Sequence, residues 1–113
     1  MEGLVAGDVV TVPFPFTDFS SQKVRPEIVL AVLERGNVLL CQITSQPLTH
    51  KNAIPIHESD FFAGGLPKQS FLLPHRLVTA SSSIVRRVAG HITEIRQAVC
   101  AVVRGELGNT RKV

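Results

Sequence analysis

A small, strongly bent antiparallel sheet or partly closed barrel, carrying one C-terminal helix, is the fold this sequence predicts. Three observations predict it. Short β-branched runs recur at close spacing up to Ile92, glycine, proline and polar pairs punctuate them, and one stretch of helical periodicity follows. The 113 residues form a single domain, 1–113, long enough to bury a core and too short to build a second.

Asp8–Phe14 (DVVTVPF), opened by Gly7, is the first strand. A polar loop follows from Thr17 to Val24, with Ser20 and Ser21 at its centre. Pro26 has no N–H to give a ladder and keeps the preceding residue extended, so Arg25 stands where the second strand begins. Ile28–Leu33 and Val38–Thr44 are antiparallel neighbours joined by Glu34-Arg35-Gly36-Asn37, whose Gly-Asn pair suits a tight hairpin. Ala53–Ile56 is a short apolar piece, and His57-Glu58-Ser59-Asp60 starts a helical turn that ends at Gly64-Gly65. Ser70–Leu73 and Arg76–Thr79 read as strand interrupted by Pro74, which argues for an edge or a bulge. Ile84–Ile92 is again β-branched. From Thr93, an N-cap with Glu94 in the first turn, apolar residues recur at helical spacing from Ile95 through Val99 and Val103 to Leu107, before Gly108. Arg96, Arg104 and Glu106 mix charges on the other faces, so the stripe packs a core or a dimer rather than a membrane.

Composition narrows the function. Hydrophobic residues make up 44% and charged residues 19%, the balance of a globular chain rather than a disordered one. The longest apolar stretches are far shorter than the roughly 20 residues a membrane-spanning helix needs, and Met1-Glu2-Gly3 lacks a basic secretory start. A soluble, cytoplasmic protein is expected, with no membrane partner. Cys41 and Cys100 have no CxxC or histidine spacing around them and read as buried thiols. A net charge of +3 is mildly basic and compatible with a nucleic-acid partner.

The sequence contains no HExxH, GxGxxG, Walker or nucleophile-elbow pattern, and His50, His57, His75 and His91 are scattered without ligand spacing. No metal and no cofactor are expected. What remains is Arg25 at the root of the loop, hydroxyls at Thr44 and Ser45, and Lys23, Lys68, Arg76, Arg86 and Arg87 as phosphate contacts. An arginine offers two parallel hydrogen bonds to phosphate oxygens and stabilises the charge that builds up in phosphoryl transfer, while a nearby hydroxyl orients the same group. Taken singly, each residue also has a plainer reading: an ion-paired surface arginine, a strand-terminal threonine, solvated loop charges.

Gly7-Asp8-Val9-Val10, the Pro13-Phe14-Pro15-Phe16-Thr17-Asp18 run, Lys23-Val24-Arg25-Pro26 with Ile28-Val29-Leu30 behind it, and Ile43-Thr44-Ser45 together resemble the MazF/PemK family of toxin endoribonucleases. Gly65-Leu66, Ser70-Phe71-Leu72 and Arg87-Val88-Ala89-Gly90 extend the resemblance over nearly the whole chain. It implies a mainly β fold with a C-terminal helix, a small SH3-like antiparallel barrel of the MazF/PemK/CcdB type. It further implies a homodimer, a cognate antitoxin, operator DNA met only through that antitoxin, and sequence-specific cleavage of single-stranded RNA. By the same match Arg25 corresponds to the catalytic arginine and Thr44 to the catalytic hydroxyl residue, with Lys23, Ser45, Gln46, Lys68, His75 and Arg76 expected to bind RNA. The chain departs from the family at Pro74-His75-Arg76, where many members carry an acidic or glutamine residue, so their RNA motif does not transfer. His75 is a candidate for proton transfer, work that imidazole side chains commonly do, or a plain groove-lining residue. The Thr17–Val24 loop is expected to be mobile when free and ordered by RNA. The alternative reading is a non-catalytic toxin of the same fold that poisons a topoisomerase by protein–protein contact, or an RNA-binding module.

Overall fold

Among the described residues the β-branched runs pair into one antiparallel sheet of seven strands. In the computed structural model, residues 1–14, 23–46 and 51–108 are described; the expected loop is therefore outside the described residues except for Lys23 and Val24, as is His50. The strands are β1 (Asp8–Phe14), β2 (Lys23–Val32), β3 (Asn37–Thr44), β4 (Ile54–Ile56), β5 (Phe61–Gly64), β6 (Ser70–Ser81) and β7 (Arg87–Ile92), followed by helix α1 (Ile95–Gly108). Their order across the sheet is β4-β6-β3-β2-β1-β7-β5. Register shifts interrupt the ladders at Val9/Val10, Val29/Ala31, Cys41/Ile43 and Phe61/Ala63. Irregularities of this kind bend a strand and raise its twist, which curls the sheet into a half-barrel.

Period-2 alternation divides the core between the two faces. Val9, Ile28, Ile43, Leu72 and Ile92 pack with Ile95 and Val99 of α1 on one face. Val10, Val12, Val29 and Leu40 pack on the other, covered by Leu4 and Val85. The apolar stripe of α1 is buried only in its first half, since Leu107 remains 75% exposed.

Several boundaries differ from the sequence expectation, each for a local reason. β2 starts at Lys23, so Arg25 is its third residue, paired with Val12. The β2–β3 hairpin turns on Arg35-Gly36 rather than Gly36-Asn37: these two carry φ of 59° and 72°, as a mirror-image hairpin turn requires at both central positions. The turn after His57 ends at Asp60, and Phe61–Gly64 is a strand because β7 offers it a partner. β6 is continuous through Pro74: between Leu72↔Ile43 and Leu77↔Cys41 four β6 residues face Gln42 alone, and Pro74 sits in that bulge. Ser82–Ile84 is a 3-10 turn, so β7 begins only at Arg87. The helix starts at Ile95, two residues after Thr93.

Cys41 is buried, with its Sγ donating to the Leu73 carbonyl at 3.1 Å. Burial, and then the nearby Glu27 charge, push its thiol up to about 12. Cys100 is exposed on α1, contrary to the expected buried thiol, because helical spacing turns it away from the stripe of Ile95 and Val99. No described helix is long and apolar enough to cross a membrane.

Candidate active site

The register of the β2–β3 ladder builds the first half of the site. The last pair of that ladder is Glu27↔Gln42. Beyond it β2 no longer pairs with β3, and Arg25 lies two residues before Glu27 as Thr44 lies two residues after Gln42. From Lys23 to Pro26, β2 is held by β1 alone, through Thr11↔Pro26 and Val12↔Arg25. The opened ladder leaves a cavity of about 350 Å³ whose lining includes Arg25, Thr44, Ser45 and Thr11.

A second set of residues closes the cavity from the far edge of the sheet. Residues 65–68, Ser70 and Arg87 line it too, although they are remote in sequence from Arg25. Two glycines bring them in. Gly64 has φ +70°, and a Cβ there would come within 2.1 Å of the Ala89 carbonyl oxygen; one at Gly90 would come within 2.6 Å of the Ala63 oxygen. Only glycine lets β5 and β7 approach so closely while adopting that backbone. The Gly65 N–H then donates to the Ala89 carbonyl at 3.2 Å. The Ser70 hydroxyl donates to the Lys68 carbonyl at 2.8 Å, and the Gln69 amide donates to the Ile56 carbonyl at 3.0 Å. The wall is thus pinned by its own backbone contacts.

The cavity is electropositive. Arg25, Lys68 and Arg87 line it, and no carboxylate does among the described residues. The Gln46 N–H donates to Thr44 Oγ1 at 3.1 Å, which orients the hydroxyl and leaves its proton free to donate. Such an arrangement has the donors that a phosphodiester needs: guanidinium and ammonium groups for the non-bridging oxygens, and a fixed hydroxyl as a neutral donor.

Beneath Arg25 the same strand carries a buried charge. Glu27 is 2% exposed, and its Oε1 has no hydrogen-bond partner. Burial alone pushes its carboxyl up to about 7. An acidic residue inside the apolar run Pro26-Glu27-Ile28-Val29-Leu30 was the sequence signal for it, although no site motif contains it.

Of the residues singled out in the sequence, Arg25, Thr44, Ser45, Lys68 and Arg87 converge on the cavity. Gln46 touches it through its bond to Thr44, and Lys23 is exposed two residues before Arg25. His75 and Arg76 lie elsewhere, on the β6 bulge. His75 Nε2 is 3.8 Å from Glu106 on α1, and neither residue lines the cavity. Arg86 is also outside it, its backbone N–H donating to the Thr11 carbonyl at 2.8 Å. Thr11, Ser70 and the Leu66-Pro67 wall were not legible as site residues, because only strand pairing brings them to Arg25. Among the described residues no group of three or more histidine, cysteine or acidic side chains is placed to hold a metal ion.

Comparison with known proteins places this geometry in context. Residues 6–107 match a family model described as the PemK-like, MazF-like toxin of type II toxin–antitoxin systems. No protein of curated function matches the sequence. A MazE–MazF complex from Deinococcus radiodurans superposes with a TM-score of 0.71 at 18% identity, over 95% of this chain and 98% of that one. An endoribonuclease in complex with its cognate antitoxin, from a mycobacterial species, superposes with a TM-score of 0.68 at 13% identity, over 99% and 100% of the two chains. The Mycobacterium tuberculosis toxin MazF-mt6 gives 0.65 at 16% identity, over 93% and 99%. At these identities the structures establish a shared fold.

Proposed function

Since the chain belongs to the PemK-like, MazF-like toxins of type II toxin–antitoxin systems, we propose that it is a sequence-specific endoribonuclease that cuts single-stranded RNA without a metal ion. One observation carries this reading: Arg25 and Thr44 line the same cavity, and the charged residues that line it among the described ones are all cations. Binding any anion would need the cations, whereas a hydroxyl in the same cavity as an arginine adds a second donor for the same phosphate.

The chemistry is an in-line transesterification. The ribose 2′-oxygen attacks the adjacent phosphorus, its proton passes to water, and the bond from phosphorus to the 5′-oxygen breaks as that oxygen takes up a proton from water. The products are a 2′,3′-cyclic phosphate and a 5′-hydroxyl. Negative charge grows on the non-bridging oxygens as the fifth bond forms, and Arg25 stabilises it because its guanidinium donates to two oxygens at once. Thr44 donates its hydroxyl proton to the same group. Lys68 and Arg87 hold the flanking phosphates and supply charge that divalent ions supply in other nucleases. Ser45, Gln46 and Lys23 extend the contact along the strand, and His75 and Arg76 serve the outer path of a longer RNA. A homodimer, a cognate antitoxin that reaches operator DNA on the toxin's behalf, and a cytoplasmic site of action complete the proposal. The superposed complexes with antitoxins support the antitoxin partner.

The mechanism is tested with one RNA in two forms. Cutting is expected to continue in excess EDTA. A deoxyribose immediately 5′ to the scissile phosphate is expected to stop cutting while binding persists, since affinity comes mainly from phosphate contacts. A requirement for Mg²⁺, or cutting at the deoxy position, rules the mechanism out.

A further inference from the structure

A second cavity, of about 510 Å³, shares the 66–68 wall and Ser70 with the cationic one. Its chemistry is different. Beyond the common wall it is lined by Ile56, His57, Glu58, Ser59, Phe61 and Gln69, and among the described residues the lysine or arginine that lines it is the shared Lys68. Glu58 excludes a phosphate from its own part of the cavity, while the half-buried ring of Phe61 with Leu66 and Pro67 offers apolar surface to a flat group. Single-stranded RNA presents such a group next to every phosphate, because its unstacked bases pack on aromatic and apolar side chains and hydrogen-bond along their edges.

Resting on the RNA-cleaving reading above, we propose that this second cavity is a base-selecting subsite, in which Glu58 favours a nucleotide bearing an exocyclic amino group over uracil. A chain crossing the shared wall sets a phosphate at Lys68 and the neighbouring base beyond it. Asp60 is already engaged, its Oδ2 accepting the His57 N–H at 2.7 Å. The Glu58 carboxylate takes part in no hydrogen bond or ion pair among the described residues, so its oxygens are free to accept. Cytosine, adenine and guanine each present an amino group to such an acceptor. Uracil presents one N–H between two carbonyl oxygens, and those oxygens repel a carboxylate. The rim cannot easily adapt to the wrong base, because the Gln69 amide ties the Ile56 carbonyl at 3.0 Å to the Ser70 carbonyl at 3.3 Å.

The test uses a randomised pool of short 2′-fluoro RNA, which lacks the 2′-hydroxyl and so is bound but not cut. The full-length protein and Glu58→Gln are each incubated with it, and the retained RNA is sequenced. Wild type is expected to deplete uracil roughly tenfold at one position, and Glu58→Gln to erase that bias at that position only, since the amide can donate to a uracil carbonyl. Retention of no RNA, retention without uracil bias, or an unchanged bias in Glu58→Gln overturns the subsite. Ordinary RNA run in parallel separates the two readings. Cutting without the bias sinks the subsite alone, whereas biased retention without cutting sinks the nuclease reading and leaves the subsite standing.

Discussion

The two halves of the cationic cavity are assembled in different ways. Arg25 and Thr44 come from β2 and β3, neighbours in the chain and in the sheet, each two residues beyond the last pair of one ladder. Lys68, on the connection from β5 to β6, and Arg87, on β7, are remote in sequence from that hairpin, and two glycines permit a β5–β7 backbone contact that any Cβ would block. The first half is a consequence of hairpin geometry and tolerates change elsewhere in the chain. The second half depends on a long-range fit and is the more fragile. The proposed function assigns the two halves different work: the reacting phosphate to the locally built half, and the RNA that leads to it to the remotely built half.

Removing the local half gives the largest effect. Arg25→Ala and Thr44→Ala are each expected to slow RNA cleavage by about 100-fold or more, the usual cost of losing a donor that stabilises developing charge, while thermal unfolding stays as in wild type. Growth arrest that survives both substitutions points instead to the topoisomerase-type or binding alternative.

Next comes the pH response of Glu27, which lies beneath that half. Its folded carboxyl titrates near 7 against an ordinary 4.5, so the folded state holds the proton more tightly than the unfolded chain does. The stability that this carboxyl contributes is therefore greatest below pH 4.5, falls as pH rises toward 7, and levels off above it, with a total loss on the order of 3 kcal/mol. Urea unfolding at pH 5 and pH 8 is expected to show most of this loss in wild type and none of it in Glu27→Gln. Parallel pH profiles for the two proteins contradict the assignment.

The remote half breaks at its hinge. Gly64→Ala is expected to cost about 2 kcal/mol or more, since alanine at a positive φ is strained and its methyl meets the Ala89 carbonyl. A melting temperature about 10 °C lower checks this, and an unchanged one removes the close approach as the cause of the wall's position.

The smallest expected effect separates binding from chemistry within the cavity. Arg87→Ala is expected to weaken RNA binding roughly tenfold at low salt and to reduce the slope of log affinity against log salt by about 1, as the loss of one phosphate contact does. The cleavage rate of saturated enzyme changes little in comparison. A loss in rate as large as that of Arg25→Ala would make the two halves equivalent and erase the distinction between them.

The same division governs what could be read before the structure was seen. Asp8–Phe14 matches β1 at both ends, Val38–Thr44 matches β3 within one residue, and the helical stripe ending at Leu107-Gly108 matches the end of α1. Each is settled by periodicity over a few neighbouring residues. Phe61–Gly64 was invisible as a strand, since four residues with two terminal small ones carry no period, and only pairing with β7 makes them extended. Pro74 was legible as a bulge but not as part of one long strand, because continuity there comes from β3 resuming its register at Leu77.

By itself the sequence determined the antiparallel β class, the terminal helix, the hairpin that sets Arg25 near Thr44, and the family whose motifs those residues carry. These rest on local spacing and on side-chain chemistry, which a linear chain states directly. Tertiary structure alone decided that Arg87, Lys68 and Thr11 join Arg25 while His75 and Arg76 do not, and that one Glu27 oxygen has no hydrogen-bond partner among the described residues. The physical reason is that each of these depends on which strand becomes the neighbour of which. Neighbours in a sheet ordered β4-β6-β3-β2-β1-β7-β5 are set by the summed burial of both faces and by the close approach of Gly64 to Gly90, neither of which any short window of residues contains.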